Sequence, residues 1–400
     1  MRRTSWIVCL AAALAIGGAR VEAGERYVAL GDEIVRHVQE RFLDAGRARI
    51  WATRHRGYGA AAVDATQFER LTNRALAELG ASHTAYYPRD SLENRQLRSL
   101  YASIIAGPAP SFESIGVDLV RIEGATFVRH VFGGGPAARA GLLRGDRIVS
   151  ADGKPFDPVR SLAGRLGRPV ALAIERVKGS RLLTVSVIPR ETKPADEWID
   201  AQDKGSVVVE RAGRRIAYTQ VYSCAGPRPL ALLERTIQER FAGADALVID
   251  LRDGWGGCPP ELMNLFNPVA PTLRFVGRDG KARVWRTGWA RPVVLVINGQ
   301  TRSGKELVAY EFHKHDIGPL VGERTAGAFL AGTPIPLSDG SLLYLAVEDV
   351  QIDGVRLEGK GVPPDVAIAS KLPYAAGADP QRDRAIALAA QLAAKRTRPP

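Results

Sequence analysis

Across 400 residues the chain has only three cysteines, two methionines and six histidines. So few cysteines exclude a small disulfide scaffold. The histidines and cysteines also lack metal-ligand spacing, so no metal or other cofactor is expected. No Lys/Arg block interleaves with aromatic residues, which argues against nucleic-acid binding despite a formal charge of +12. Neither a GxGxxG fingerprint nor a P-loop is present, so a phosphate cradle has no support. After the first residues no stretch is long and apolar enough to span a bilayer, and no integral membrane segment is expected in the mature chain.

Residues 1–23 read as a cleavable export signal. Arg2 and Arg3 precede an apolar run from Trp6 to Gly18, and Val21-Glu22-Ala23 forms a small-residue cleavage site. The expected location is periplasmic or extracellular. Cys9 lies inside this run, so Cys224 and Cys258 remain in the mature chain. Each follows an apolar strand-like run, and an oxidising compartment makes a disulfide between them possible without requiring it.

A length of 400 residues suggests two or three domains. Residues 24–107 read as a helical segment, with Leu30, Ile34, Val35, Val38 and Phe42 on one face. Its second helical run ends at Gly80, and a non-helical turn containing Ser82 and His83 follows. Between 108 and 192 the composition shifts to short strands and glycine turns. A polar connector, Lys193 to Lys204, leads to alternating strands and helices up to about residue 375. Residues 376–400 make a C-terminal helix and basic tail.

Arg291 to Ala328 carries the most chemistry. Val293 to Ile297 reads as a strand buried on both faces, followed by a polar turn and a helix from Gly304. Ser303 therefore stands where a strand end becomes a helix N-terminus, a setting that stabilises a developing oxyanion. Taken alone, the stretch reads first as a plain cap, with Glu306 completing an S-x-x-E capping box. The glycine-rich turn Arg252 to Gly257 is either a source of bare N–H groups or a tight connector.

Read together, several stretches resemble one family, the tail-specific and tricorn-type serine peptidases. They are SHTAYY at 82–87, GGPAARAGLLRGDRIVSADG at 134–153, VIDLRDGWGG at 248–257, TRSGKE at 301–306, VGERTAGA at 321–328 and LEGKGVPPDV at 357–366. The second of these resembles a PDZ domain. The resemblance implies an α+β multidomain fold: a helical segment, a PDZ-like β domain and an α/β peptidase core of the ClpP/crotonase type. It implies that Ser303 is a nucleophile. Ala328 stands where the tail-specific branch places its lysine base, and alanine cannot accept a proton. The tricorn-type branch instead uses a Ser-His pair and a distant glutamate, matched by Ser82, His83 and Glu358. Gly304, with Gly256 or Gly257, would supply oxyanion donors.

The PDZ resemblance implies a groove that binds polypeptide C-termini at Ile115, Gly116 and Val117. Lys305 is either a substrate contact or a solvated charge. As a dyad base it is disfavoured, because residues two apart on a helix face away from each other. The expected activity is that of an exported serine endopeptidase. One rival is a catalytically silent PDZ-containing binding or scaffold protein. Another is a carrier of hydrophobic ligands, since vertebrate retinoid-binding proteins resemble this core but lack the PDZ insert. Oligomeric state is not expected to be legible.

Overall fold

The computed structural model describes residues 25–267, 269, 271–286 and 288–396. The expected signal, 1–23, and Cys9 lie outside the described residues. The apolar run Val293–Ile297 is a strand buried at every position. It pairs in parallel with Ala246–Asp250 on one side and Leu320–Gly322 on the other. Arg214–Gln220 and Val366–Ala367 extend this sheet in parallel, and Val207–Arg211 closes one edge as an antiparallel strand. Continuous apolar strands of this kind require cover on both faces. One face is covered by the C-terminal helix Pro380–Arg396. Its Ala385, Ala389, Ala390 and Ala393 pack on Ile216, Val248, Val294, Val296 and Val321. Alanines at that spacing let the helix backbone approach the sheet closely.

Residues 109–329 and 351–396 form one compact unit. The first part of this unit is a six-stranded antiparallel sheet built from Val117–Ile122, Ala125–Val131, Arg147–Ala151, Val170–Glu175, Leu183–Val187 and the short Lys154–Pro155. Its core holds Ile115, Val128, Ile148, Val170, Leu172 and Ile174. Val117–Ile122 lies at the open edge of this sheet. The stretch expected as a polar connector is instead a helix, Pro194–Gly205. Pro194 suits the first helical position, Asp196 and Glu197 favour the positive helix end, and Trp198, Ala201 and Gln202 make a buried stripe.

The second unit comprises the described residues up to Pro108 together with Leu330–Val350. Helices at 25–41, Ala45–Arg54 and Ala65–Ala77 pack around Ile34, Val38, Trp51, Phe68 and Leu76. The hairpin Ala331–Pro336 and Leu342–Glu348 joins this core through Ile335, Leu343 and Leu345. After Gly80 the chain turns and enters a short strand, Ala85–Tyr87, which pairs with Leu342–Tyr344. Among the described residues no helix is long and apolar enough to cross a membrane, and no His/Cys/Asp/Glu group is placed to hold a metal ion.

Candidate active site

Ser303 ends the turn after Val293–Ile297 and precedes the helix Gly304–Lys314. Its φ of 57° places a non-glycine residue in the left-handed region, and its ψ is −134°. Such backbone strain persists only where surrounding contacts over-determine it. Here the Ser303 N–H donates to the Ala328 carbonyl at 2.9 Å, and Glu306 Oε2 also accepts from it at 3.3 Å. The Glu306 N–H donates to the Ser303 carbonyl at 2.7 Å. Glu306 is fully buried, and its carboxylate also accepts from Thr325 Oγ1 at 2.6 Å, Gly327 N–H at 2.8 Å and Ala328 N–H at 2.8 Å. Burial pushes this carboxyl up, against the pull of those donors. Glu306 is thus the hub that ties the serine turn to residues 325–328.

The glycine-rich turn meets the serine directly. A Cβ at Gly256 would lie 2.6 Å from Ser303 Cβ and 3.1 Å from its Oγ, so only glycine fits there. A Cβ at Gly304 would lie 2.3 Å from the Cys258 carbonyl oxygen. Among the described residues, the N–H groups of Gly256 and Gly257 are committed to no backbone acceptor. Cys258 is joined to Cys224 by a disulfide with Cα atoms 4.4 Å apart, which fastens the far end of this turn. At its near end the Asp253 carboxylate meets His130 Nε2 at 2.6 Å, Arg129 Nη1 at 3.2 Å and Asn298 Nδ2 at 3.0 Å. Burial pushes the Asp253 carboxyl up, but these partners outweigh it and hold it well below the usual range.

Glu358 lies in the loop paired with residues 325–329. Gly359 N–H donates to the Gly327 carbonyl at 2.8 Å, and Glu358 Oε2 accepts from Phe329 N–H at 2.7 Å. Lys305 is fully buried, and its Nζ donates to the carbonyls of Asp253 at 2.7 Å and Tyr222 at 3.2 Å. In the other unit, Ser82 Oγ is 2.9 Å from His83 Nδ1. His83 has a φ of 55° and its ring lies 5.6 Å from that of Tyr344, while Gly332 leaves no room for a Cβ beside His83 Cβ. Within each unit, then, Ser82 meets His83, and Ser303 meets Gly256 and Ala328, whose segment 325–329 pairs with the loop carrying Glu358.

In the small antiparallel sheet, Gly116 sits at φ 77° between Ser114 and Val117. Ile115 turns its side chain into the core, leaving only backbone to face a ligand. Gly116 N–H donates to Ser114 Oγ at 3.0 Å.

The strand–turn–helix elbow at Ser303 and the six-stranded antiparallel module define the architecture: an α/β core with an appended small β domain. Residues 215–368 match peptidase family S41, and residues 128–176 match the PDZ domain. The chain is 30% identical over 339 residues to tricorn protease homolog 1 of Streptomyces coelicolor, covering 78% of this chain and 30% of that protein. It is 27% identical over 302 residues to carboxy-terminal processing protease CtpA of Bacillus subtilis, covering 71% of this chain and 62% of the other. The chain therefore spans between 30% and 62% of the length of these two relatives. A crystal structure of the tricorn protease shares the fold, with a TM-score of 0.55, 19% identity, and coverage of 92% of this chain and 37% of that one. The chain thus carries a peptidase family S41 domain over residues 215–368 and a PDZ domain over residues 128–176.

Proposed function

We propose that this chain is an exported serine endopeptidase that recruits polypeptide C-termini and hydrolyses peptide bonds. The observation that carries the reading is Ser303 in a left-handed turn, with its hydroxyl against a glycine that admits no side chain. An alcohol is a weak nucleophile at neutral pH and needs a general base. His83 takes the Ser303 proton and returns it to the leaving amine. With Nδ1 turned to Ser82, Nε2 is the nitrogen assigned to that transfer. Ser82 and Glu358 orient the imidazole and stabilise its charged form. Lysine-based activation has no support, because Ala328 offers only its backbone, the carbonyl to Ser303 and the N–H to Glu306.

Gly304 N–H, with Gly256 or Gly257 N–H, holds the oxyanion. Each such donor is worth about 3 kcal/mol in the transition state. The open edge strand Val117–Ile122 supports recruitment by strand addition, with the substrate carboxylate at the Ile115–Val117 backbone. Export rests on the charged and apolar pattern of residues 1–23. The test is turnover of an unfolded protein substrate by the full chain and by Ser303→Ala. Hydrolysis should vanish in the variant while its thermal melt is retained. Hydrolysis that survives would assign the chemistry to another nucleophile. A folded wild-type chain without turnover or serine labelling would favour the silent binding protein.

A further inference from the structure

Lys305 has no task in the reaction just proposed, yet its placement is unusual for a lysine. It lies in the first turn of the helix after Ser303, where the helix dipole disfavours a cation, and it is fully buried. An ammonium is taken out of water at high cost unless specific acceptors receive it. Its two acceptors are backbone carbonyls, those of Asp253 at 2.7 Å and Tyr222 at 3.2 Å. Asp253 belongs to the glycine-rich turn, and Tyr222 lies beside it. The Tyr222 carbonyl also accepts from Trp255 N–H at 2.8 Å, and a Cβ on Gly254 would strike it at 2.1 Å. Asp253 and Gly254 are consecutive left-handed residues, with φ of 59° and 65°.

The turn is thus strained and has little regular structure of its own to hold it. Arg302 grips its other side, with its guanidinium 4.4 Å from the Trp255 ring centre. From Trp255 the chain passes directly to Gly256, against the Ser303 hydroxyl. Burial pushes the Lys305 ammonium down to about 7, against the attraction of Asp253 and Asp250. A neutral amine still has two N–H groups for two carbonyls, so the clamp does not depend on the charge alone.

We propose that Lys305 is a positioning residue, whose Nζ fastens the 253–255 turn so that the Gly256 and Gly257 amides stand at Ser303 before an oxyanion forms. Oxyanion stabilisation depends on donors fixed in advance of the reaction, which is what such a clamp supplies. The inference deepens the peptidase reading and rests on it.

The experiment compares the full chain with Lys305→Met, unbranched and one atom shorter with no side-chain N–H, and with Lys305→Gln, which has the reach of methionine and restores two N–H groups. In Lys305→Met, kcat should fall roughly 100-fold, the scale of one lost oxyanion donor. KM should stay within about threefold, and affinity for a peptidyl boronic acid should fall in proportion to kcat/KM. Lys305→Gln should recover at least about tenfold of the loss. Unchanged kcat in Lys305→Met would overturn the assignment. So would a rise in KM alone, which would make Lys305 a substrate contact, or a folded Lys305→Gln as impaired as Lys305→Met. If Lys305→Met does not fold, the kcat of folded Lys305→Gln decides. Amide exchange of residues 253–257 reads the clamp without activity, and should speed up roughly tenfold or more in Lys305→Met. Faster exchange in a chain whose wild type hydrolyses nothing would sink the peptidase reading and spare the clamp, whereas normal exchange would sink the clamp.

Discussion

Replacing Glu306 by glutamine tests how the serine turn is built. The two side chains have nearly the same shape, so packing is preserved and only hydrogen bonding changes. Oε1 accepts from Thr325 Oγ1 and Gly327 N–H, while Oε2 accepts from Ala328 and Ser303 N–H. An amide keeps one acceptor oxygen and turns the other position into an NH2 that faces two donors. With the NH2 toward Ala328, the Ala328 N–H loses its acceptor while the Ser303 N–H keeps the Ala328 carbonyl; with it toward Thr325, the Gly327 N–H loses its acceptor while the Thr325 hydroxyl accepts from the NH2. Either way one backbone N–H is left unsatisfied, so about 2 kcal/mol is expected. In a unit of this size that lowers Tm by roughly 4–8 °C. Urea melts should show a lower midpoint with an unchanged m value. Because Ser303 and Ala328 lose a shared acceptor, fluorophosphonate labelling of Ser303 should also slow at temperatures where the variant is fully folded. An unshifted melt together with full labelling would refute the view that Glu306 holds this turn.

Two other perturbations follow from buried groups outside the serine turn. Burial pushes the Glu197 carboxyl up to about 7 from an ordinary 4.5, so the folded state binds the extra proton between those values and stability falls as pH rises through that window. Glu197→Gln should therefore stabilise the chain at pH 8 by on the order of 3 kcal/mol and flatten its melt between pH 5 and pH 8; a melt insensitive to the substitution would contradict this. The Cys224–Cys258 bridge closes a loop of sequence separation 34, so the double serine variant should lose roughly 4 kcal/mol. Reductant should then lower the wild-type melt without affecting the variant.

What could be read from the residues was local. Val293–Ile297 followed by a polar turn and a helical face was enough to put Ser303 at an elbow. The helix Pro194–Gly205 was hidden because polar residues dominate its surface, and its buried stripe of Trp198, Ala201 and Gln202 includes an amide. Pairing of Ala85–Tyr87 with Leu342–Tyr344 spans most of the chain, and no local pattern marks such a register. Glu306 was visible as a capping-box residue, but its bonds to Thr325, Gly327 and Ala328 come from tertiary structure. The Asp253 cluster with Arg129, His130 and Asn298 likewise joins residues from three separate stretches, and a sequence shows none of that proximity.

The most direct test of the catalytic account is the site and rate of fluorophosphonate modification in the full-length chain, read by mass spectrometry. The account predicts a single adduct on Ser303, forming at least roughly 100-fold more slowly in His83→Ala, the scale of a lost general base. A folded wild-type chain that takes no adduct, or one whose Ser303 reacts equally fast without His83, would contradict it.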